Sequence, residues 1–128
     1  MKKTATIILN RNLPKETDAL VEHLIENDGE CTDIFVVEAG SDKNNLSKYS
    51  TWHINTKDVS KYGLRYLRGM NYGLLELWKG NNWDNYESFF LLTNDTKFPA
   101  GQETIKTLQG LLNKDHRLGL VSPCSEKW

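Results

Sequence analysis

The sequence lacks the features that mark several common classes of protein. Its 16 basic and 17 acidic residues give a formal net charge of -1, which provides no electrostatic basis for binding nucleic acid or a membrane. No apolar stretch is long enough to span a bilayer, and residues 1–3 lead into a short apolar segment without a signal-peptide profile. The two cysteines, Cys31 and Cys124, are far apart and outside any zinc or redox motif, which predicts reduced structural thiols in a cytosolic protein.

The common phosphate-binding motifs are absent as well. The sequence has no G-x-x-x-x-G-K-[ST] motif, which argues against P-loop chemistry. No G-x-G-x-x-G motif follows the first apolar run, which argues against a dinucleotide-binding fold. That run also does not end in the pair of acids that a phospho-accepting receiver domain needs. The remaining candidates for ligand binding are the polar residues that follow the apolar runs.

The sequence does contain a regular alternation of short apolar runs and helical stripes. Its 128 residues predict a single domain, 1–128. The apolar runs predict five strands, at residues 5–9, 34–37, 51–55, 89–93 and 118–122. Three helices are predicted, the first from Pro14 to about Asn27, the second through a stripe of Leu64, Leu67, Leu74 and Trp78, and the third from Ile105 to Leu112.

The order of these elements predicts an α/β fold with a Rossmann-like, mostly parallel sheet flanked by helices. We expect the second, first and fourth strands to lie side by side, with the first in the centre. The third strand alternates apolar and polar residues, which is typical of an edge. The helical stripes are expected to cover both faces of the sheet.

The fourth apolar run is the most informative stretch. Phe89 to Leu92 are four consecutive apolar residues, which predicts a strand buried on both faces. Ligands of open parallel sheets bind beyond the carboxyl ends of the strands, so Asp95 is a candidate ligand of a divalent cation. An Asx turn that ends the strand accounts for Asn94, Asp95 and Thr96 equally well. Both interpretations stay open at this point.

Polar residues follow three of the predicted strands, and the topology lets these three tips converge on one cleft. They are Asn10, Arg11 and Asn12 after the first strand, Glu38, Gly40 and Ser41 after the second, and Asn94 and Asp95 after the fourth. The second predicted helix carries Arg65, Arg68 and Asn71, which would provide cationic cover for such a cleft. An exposed helix also carries arginines that are simply solvated.

Five segments of the chain carry a resemblance to a known family. They are residues 7–12 (IILNRN), 34–41 (IFVVEAGS), 65–73 (RYLRGMNYG), 90–96 (FLLTNDT, with Pro99 downstream) and 118–123 (LGLVSP). In this order they resemble the N-terminal half of an inverting family 2 glycosyltransferase with the GT-A fold. The matching features of that family are the first strand and its Asn-aromatic-Asn turn, the Val-Val-Asp-Asn-Gly-Ser segment, the helix ending in Asn-x-Gly, the Asp-x-Asp region and the next strand.

The resemblance implies that the chain binds a nucleoside-diphosphate sugar for transfer to a glycan or lipid-linked acceptor. It implies that Asn10, Asn12 and Glu38 hold the base and ribose, and that Asp95 holds a divalent cation, manganese or magnesium. It also implies that Arg65, or else Arg68, contacts the diphosphate. We expect a cytoplasmic location, with a membrane association through a later C-terminal part as a further expectation.

The chain departs from the family pattern at four places. Arg11 replaces the usual aromatic residue, Glu38 replaces an aspartate, and Thr93 stands where the first acid of Asp-x-Asp is expected. The chain also stops before the family's acceptor site and catalytic base, and Glu126 has no spacing that recommends it as a base. We therefore expect a donor-binding half that does not transfer sugar by itself. The alternative is a non-catalytic α/β nucleotide-binding or interaction module.

Overall fold

The computed structural model describes residues 3–124, so Glu126 lies outside the described residues. Its strands and helices, in chain order, are β1 (Lys3–Asn10), α1 (Pro14–Asp28), β2 (Thr32–Ala39), β3 (Ser50–Ile54), α2 (Lys57–Tyr62), α3 (Tyr66–Lys79), β4 (Tyr86–Thr93) and α4 (Thr104–Lys114). Short 3-10 turns occupy Lys43–Asn45 and Trp83–Asn85. Among the described residues, no helix is both long and apolar enough to cross a membrane.

The four strands form one parallel sheet in the order β3-β2-β1-β4. The predicted α/β class, the central position of β1 and the edge position of β3 are all confirmed. The register places Asn10 opposite Glu38 and Leu9 opposite Thr93, so the carboxyl ends of β1, β2 and β4 lie level with one another. This alignment brings the three polar tips to the same edge of the sheet.

Helices cover both faces of the sheet, as a parallel sheet requires. On one face, α1 and α4 pack against a core that includes Ile8, Val36 and Leu92. On the other face, α3 packs against Ile7 and Val37. Within the described residues β4 is the outer strand, yet Leu92 is only 6% exposed, because its side chain points into the core under α1 and α4.

The stripe of apolar residues predicted to hold α3 against the sheet does so only in part. Leu74 packs against the core, whereas for Leu67 and Trp78 the expectation was wrong. Leu67 is 74% exposed and Trp78 is 63% exposed, and both lie on the outer side of the helix. The face that packs on the sheet is formed by Gly69, Met70, Gly73 and Leu77. Leu67 and Trp78 therefore point away from the core, while Met70 and Leu77 pack into it.

Two glycines explain this orientation of α3. A Cβ added at Gly73 would lie 2.9 Å from the Cγ2 atom of Ile7, and one at Gly69 would lie 2.8 Å from the terminal carbons of Leu9. The helix therefore approaches β1 more closely than a face with larger side chains allows. A close approach increases the dispersion attraction between the helix and the sheet. The face that contains Gly69 and Gly73 is therefore favoured for packing over the face that contains Leu67 and Trp78.

Two further sequence expectations differ from the structure. Residues 118–122, predicted as a fifth strand, have no regular secondary structure, and Leu120 is 83% exposed. The backbone N–H of Leu118 donates to the carbonyl of Asp115 in a turn rather than to a neighbouring strand. The short helix α2 was not predicted. The side-chain hydroxyl of Thr56 caps it by accepting a hydrogen bond from the N–H of Val59.

Candidate functional site

The strand order places the carboxyl ends of β1, β2 and β4 at one edge of the sheet. From β1 the chain moves outward through β2 to β3, and then returns to the other side of β1 to form β4. Both β1 and β4 lead into helices on the same face of the sheet, α1 and α4. Ligands of open parallel sheets bind beyond the carboxyl ends of the strands. Asn10 ends β1 and Asn94 follows β4, so both lie at this edge.

Asn10 ties the three tips together. Its side-chain amide N–H donates to Oε2 of Glu38 at 2.8 Å, and its amide oxygen accepts from the amide of Asn94 at 3.2 Å. The same oxygen also accepts from the N–H of Leu13 at 3.1 Å and from the hydroxyl of Thr17 at 3.0 Å, which anchors the start of α1. The residues predicted after β1, β2 and β4 are thus joined at one place.

Glu38 is a fully buried carboxylate whose two oxygens are both occupied. Besides the bond from Asn10, its Oε1 accepts from the N–H of Ser47 at 2.8 Å and from the hydroxyl of Ser50 at 2.5 Å. Three hydrogen-bond donors, rather than a cation, therefore offset the free-energy cost of burying this carboxylate. In this structure Glu38 fastens the loop before β3 over the end of β2.

The same loop is also fastened to α1. The hydroxyl of Ser47 donates to Oδ1 of Asp18 at 2.5 Å, and Nζ of Lys48 contacts Oε1 of Glu22 at 2.5 Å. The hydrogen bond and the charge of Lys48 lower the pKa of the Glu22 carboxyl below its usual range. Both of these groups are exposed, so the ion pair adds little stability. The buried contact to Glu38 is the one that fixes the loop.

Asn12, Gly40 and Ser41 form a second junction, between the tips of β1 and β2. The N–H of Asn12 donates to the hydroxyl of Ser41 at 3.1 Å, and the amide oxygen of Asn12 accepts from the N–H of Asp42 at 2.8 Å. Gly40 has a φ of +82°, and a Cβ there would overlap the carbonyl oxygen of Val59 in α2. A glycine is therefore required where this tip meets α2.

Arg11 holds α2 against the tip of β1. Its guanidinium donates to the carbonyl oxygen of Tyr62 at 2.8 Å and to that of Lys61 at 3.2 Å, which satisfies carbonyls at the end of the helix. A Cβ at Gly63 would overlap this guanidinium, and Gly63 has a φ of +69°. Arg11 replaces the aromatic residue of the family pattern, and in this structure its side chain positions the connection between α2 and α3.

The structure separates the three residues predicted to cover the cleft. Arg65 immediately precedes α3, two residues after Gly63, and so lies near the tip of β1. Arg68 is exposed on the outer side of α3. Asn71 lies on that side too, where it lines a groove of about 360 Å³ with Leu74, Leu75, Trp78 and Trp83. The preference for Arg65 over Arg68 as a diphosphate contact stays a prediction.

Asp95 occupies an exposed turn directly after β4, closed by a hydrogen bond from the N–H of Thr96 to the carbonyl of Thr93. Beside it, Asn94 contributes to a pocket of about 420 Å³ between α1 and residues 94–98. Sequence reasoning did not identify four notable side chains that line this pocket, namely Lys15, His23, Lys97 and Phe98. No spacing rule connects α1 to this segment, so only the fold reveals them.

A divalent cation at this edge would need ligands from outside the protein as well as from it. In residues 3–124, no group of three or more His, Cys, Asp or Glu side chains is arranged to hold a metal ion. Asp95 offers one carboxylate in an accessible position. The remaining positions around a manganese or magnesium ion would need to come from water and phosphate oxygens, as is common for magnesium. The residues present therefore fit a cation that arrives with a diphosphate.

Fold and site together define this chain as an α/β protein with a Rossmann-like parallel sheet and a group of polar side chains at its carboxyl edge. No protein-family model matches the chain, and comparisons with curated proteins and with solved structures gave no match. The resemblance to family 2 glycosyltransferases therefore stays a prediction that depends on the residues of this sequence.

Proposed function

We propose that the chain binds a nucleoside-diphosphate sugar at the carboxyl ends of β1, β2 and β4, as the donor-binding half of an inverting glycosyltransferase. One observation carries this proposal. The hydrogen bonds from Asn10 to Glu38 and from Asn94 to Asn10 bring together three tips, the first and last of which are 84 residues apart along the chain. The site they form lies at the point of the sheet where nucleotides bind in related architectures.

The contacts divide the predicted residues into two roles. Asn10 and Glu38 are buried and bonded to each other, so they form a rigid floor and do not reach a nucleotide. Asn12, Arg65 and Asp95 are exposed above this floor and are the groups available to a ligand. A rigid floor fixes the positions of the exposed groups, which lowers the entropy cost of binding.

Asp95 is the residue that would hold the divalent cation. When bound, such an ion supplies Lewis-acid stabilisation of the charge that develops on the leaving diphosphate. Arg65 would add a charge-assisted hydrogen bond to the same phosphates. The resemblance places the catalytic base after residue 128. We therefore expect these 128 residues to bind the donor without transferring sugar. We also propose a cytoplasmic location for the enzyme.

A non-catalytic nucleotide-binding or interaction module is the second candidate. The observation that favours it is the hydrogen bonding of Glu38, whose two oxygens are both occupied within the protein. In the family resemblance the corresponding acid faces the nucleotide. A module of this kind would keep the fold and the floor of the cleft but would show no dependence of binding on a metal at Asp95.

A thermal-shift screen of UDP, GDP, dTDP and their sugars, with and without manganese, tests the proposal. A ligand at a hundred times its dissociation constant stabilises the folded state by about 2.7 kcal/mol, which gives an easily measured rise in Tm. We expect stabilisation by at least one diphosphate with manganese, and little change with manganese alone, because Asp95 is a lone carboxylate. Binding without any metal dependence would favour the non-catalytic module instead.

Substitution of Asp95 locates the effect. We expect Asp95→Ala to abolish the metal-dependent shift, because Thr93 and Asn94 are neutral and do not replace a carboxylate. Asp84→Ala is the matched control, since Asp84 is an equally exposed acid in the turn before β4. Retention of the full shift in Asp95→Ala, or its loss in Asp84→Ala, would contradict the assigned metal ligand.

A further inference from the structure

The outer face of α3 exposes several large apolar side chains in one row. Leu67, Leu75 and Trp78 are 74%, 53% and 63% exposed, and their spacing along the helix places them on the side opposite Gly69 and Gly73. Leu74 lies at the edge of the same row. Exposed apolar residues scattered singly need no explanation, but a contiguous row on one helix face is typical of an interaction surface.

The surroundings of this row make it a structured surface. Trp78 meets Trp83 edge to face, with ring centroids 5.8 Å apart, and Trp83 stacks on Phe89 of β4 with centroids 4.2 Å apart. The exposed indole of Trp78 is therefore supported by the aromatic packing beneath it. We call the surface formed by Leu67, Asn71, Leu74, Leu75 and Trp78 the outer α3 face.

Positive charge is concentrated in the segment of the chain that carries the outer α3 face. Residues 57–79 contain five cations and only two acids, a net charge of +3 in a chain whose total is -1. The cations are Lys57, Lys61, Arg65, Arg68 and Lys79. One of the acids, Glu76, is engaged with Lys79 at 3.3 Å. The near-neutral total charge, which gave no reason to expect a membrane, conceals this local excess.

We propose that the outer α3 face docks on an anionic lipid surface. A helix with Leu and Trp on one side and Arg and Lys beside them has the composition of a helix that lies in the interface of a membrane. Trp78 is suited to the headgroup level, and the neighbouring cations are attracted to anionic lipids. A second copy of the chain is disfavoured as the occupant, because pairing two such faces would bring two net positive surfaces together.

The proposal does not depend on nucleotide binding, because the residues that carry it lie on α3 and not at the tips of the strands. Vesicle flotation tests it with phosphatidylcholine vesicles that either contain or lack phosphatidylglycerol. We expect at least about tenfold stronger partitioning onto the anionic vesicles, weakened by added salt as surface electrostatics requires. Equal partitioning onto both vesicles, or none onto either, would overturn the proposal.

Two matched pairs of variants assign the binding to this face. We expect Leu75→Ser to lower partitioning about tenfold, as removal of one buried leucine side chain should. Ile25→Ser is its control, since Ile25 is 51% exposed and lies on α1, on the other side of the sheet from α3. Arg68→Glu should weaken binding to anionic vesicles, whereas Lys114→Glu on α4 makes the same charge change far from the face and should not. All four sites are exposed, so unchanged melting temperatures will show that the variants fold.

Sedimentation velocity separates the lipid surface from the other possible occupant. We expect a monomer at every protein concentration in the absence of vesicles. A concentration-dependent dimer that Leu75→Ser abolishes, without binding to anionic vesicles, would assign the outer α3 face to a second copy and overturn the proposal. Vesicle binding that survives both Leu75→Ser and Arg68→Glu would overturn it as well.

Discussion

Two regions of this protein depart from the usual distribution of polar and apolar residues, in opposite directions. At the carboxyl ends of β1 and β2, Asn10 and Glu38 are polar side chains that are completely buried. On the outer α3 face, Leu67 and Trp78 are apolar side chains that are mostly exposed. In the first region, the polar side chains have hydrogen-bond partners inside the protein. In the second region, the apolar side chains remain in contact with solvent.

The difference indicates what each region is for. Buried polar groups are tolerated when every hydrogen bond is made, and they then fix one arrangement of the surrounding chain. Both oxygens of Glu38 and both ends of the Asn10 amide are engaged in this way. Exposed apolar groups gain nothing from the fold, so they are free to bind something else. Stability should therefore depend on the first region, and association on the second.

The largest effect is expected from Glu38→Ala. This change removes a buried acceptor shared by the amide of Asn10, the N–H of Ser47 and the hydroxyl of Ser50, at a cost of about 3 kcal/mol. The Asn10 amide and the Ser50 hydroxyl each keep one backbone carbonyl. Urea denaturation measures the change in free energy of unfolding. Asp42→Ala is the control, because Asp42 is exposed and contributes its backbone N–H to the junction. A loss below about 1 kcal/mol for Glu38→Ala would remove the distinction between the two regions.

An intermediate effect is expected on the inner face of α3. In Gly73→Ala the new Cβ lies 2.9 Å from the Cγ2 of the buried Ile7, and such overpacking costs about 2 kcal/mol. Gly110→Ala is the matched change in α4, where nothing lies within 4 Å of the added atom. There the better helix propensity of alanine should stabilise by about 0.5–1 kcal/mol. Opposite signs in the two helices are the expected outcome of denaturation, and equal signs would contradict the packing described for α3.

The sequence predicted much of the fold because the informative residues were buried in strands. The runs that became β1, β2 and β4 are short and bounded by polar residues, and the alternation of strands and helices then leaves few topologies. The orientation of α3 was not predictable from its leucines, because the gain from close approach of Gly69 and Gly73 depends on the sheet beneath them. Likewise, Leu118 to Ser122 resembled a strand, but the apolar pattern does not specify whether a partner strand pairs with it.

The candidate site was predictable in its location and less so in its roles. Its location follows from polar residues after parallel strands, a rule of topology. The roles of Arg11 and Glu38 depend on which partners the fold brings near them. Arg11 meets the end of α2, and Glu38 meets Ser47 and Ser50. Neither contact has a signature in local sequence.

The smallest effect is expected at the amino-terminal end of β4, where Tyr86 is only partly buried. Burial, together with the hydrogen bond that the Tyr86 hydroxyl donates to Asp33 at 3.0 Å, raises the pKa of Tyr86 from 10.0 to about 12. Because the folded-state pKa is higher, the contribution of Tyr86 to stability is complete below pH 10.0 and is lost as the pH rises towards 12.

Tyr86→Phe isolates this contribution. We expect the variant to lose about 1 kcal/mol at neutral pH, with a gap to the wild type that closes as the pH is raised through the alkaline range. Denaturation curves over that range provide the measurement. A gap that widens with rising pH would show that the hydroxyl is not held in its protonated form by Asp33. A loss of unfolding free energy as large as that of Glu38→Ala would show that a partly buried hydrogen bond contributes as much to stability as a fully buried one.

The central claim is that the polar tips bind a nucleoside diphosphate while the outer α3 face does not. Backbone amide chemical shifts of the ¹⁵N-labelled protein, titrated with the best diphosphate of the thermal-shift screen and magnesium, test this claim residue by residue. We predict saturable shifts at residues 10–12, 40–42 and 93–96, and unchanged signals for Leu67, Asn71 and Leu75. Shifts centred on α3, or no saturable shifts at the three tips, would contradict it.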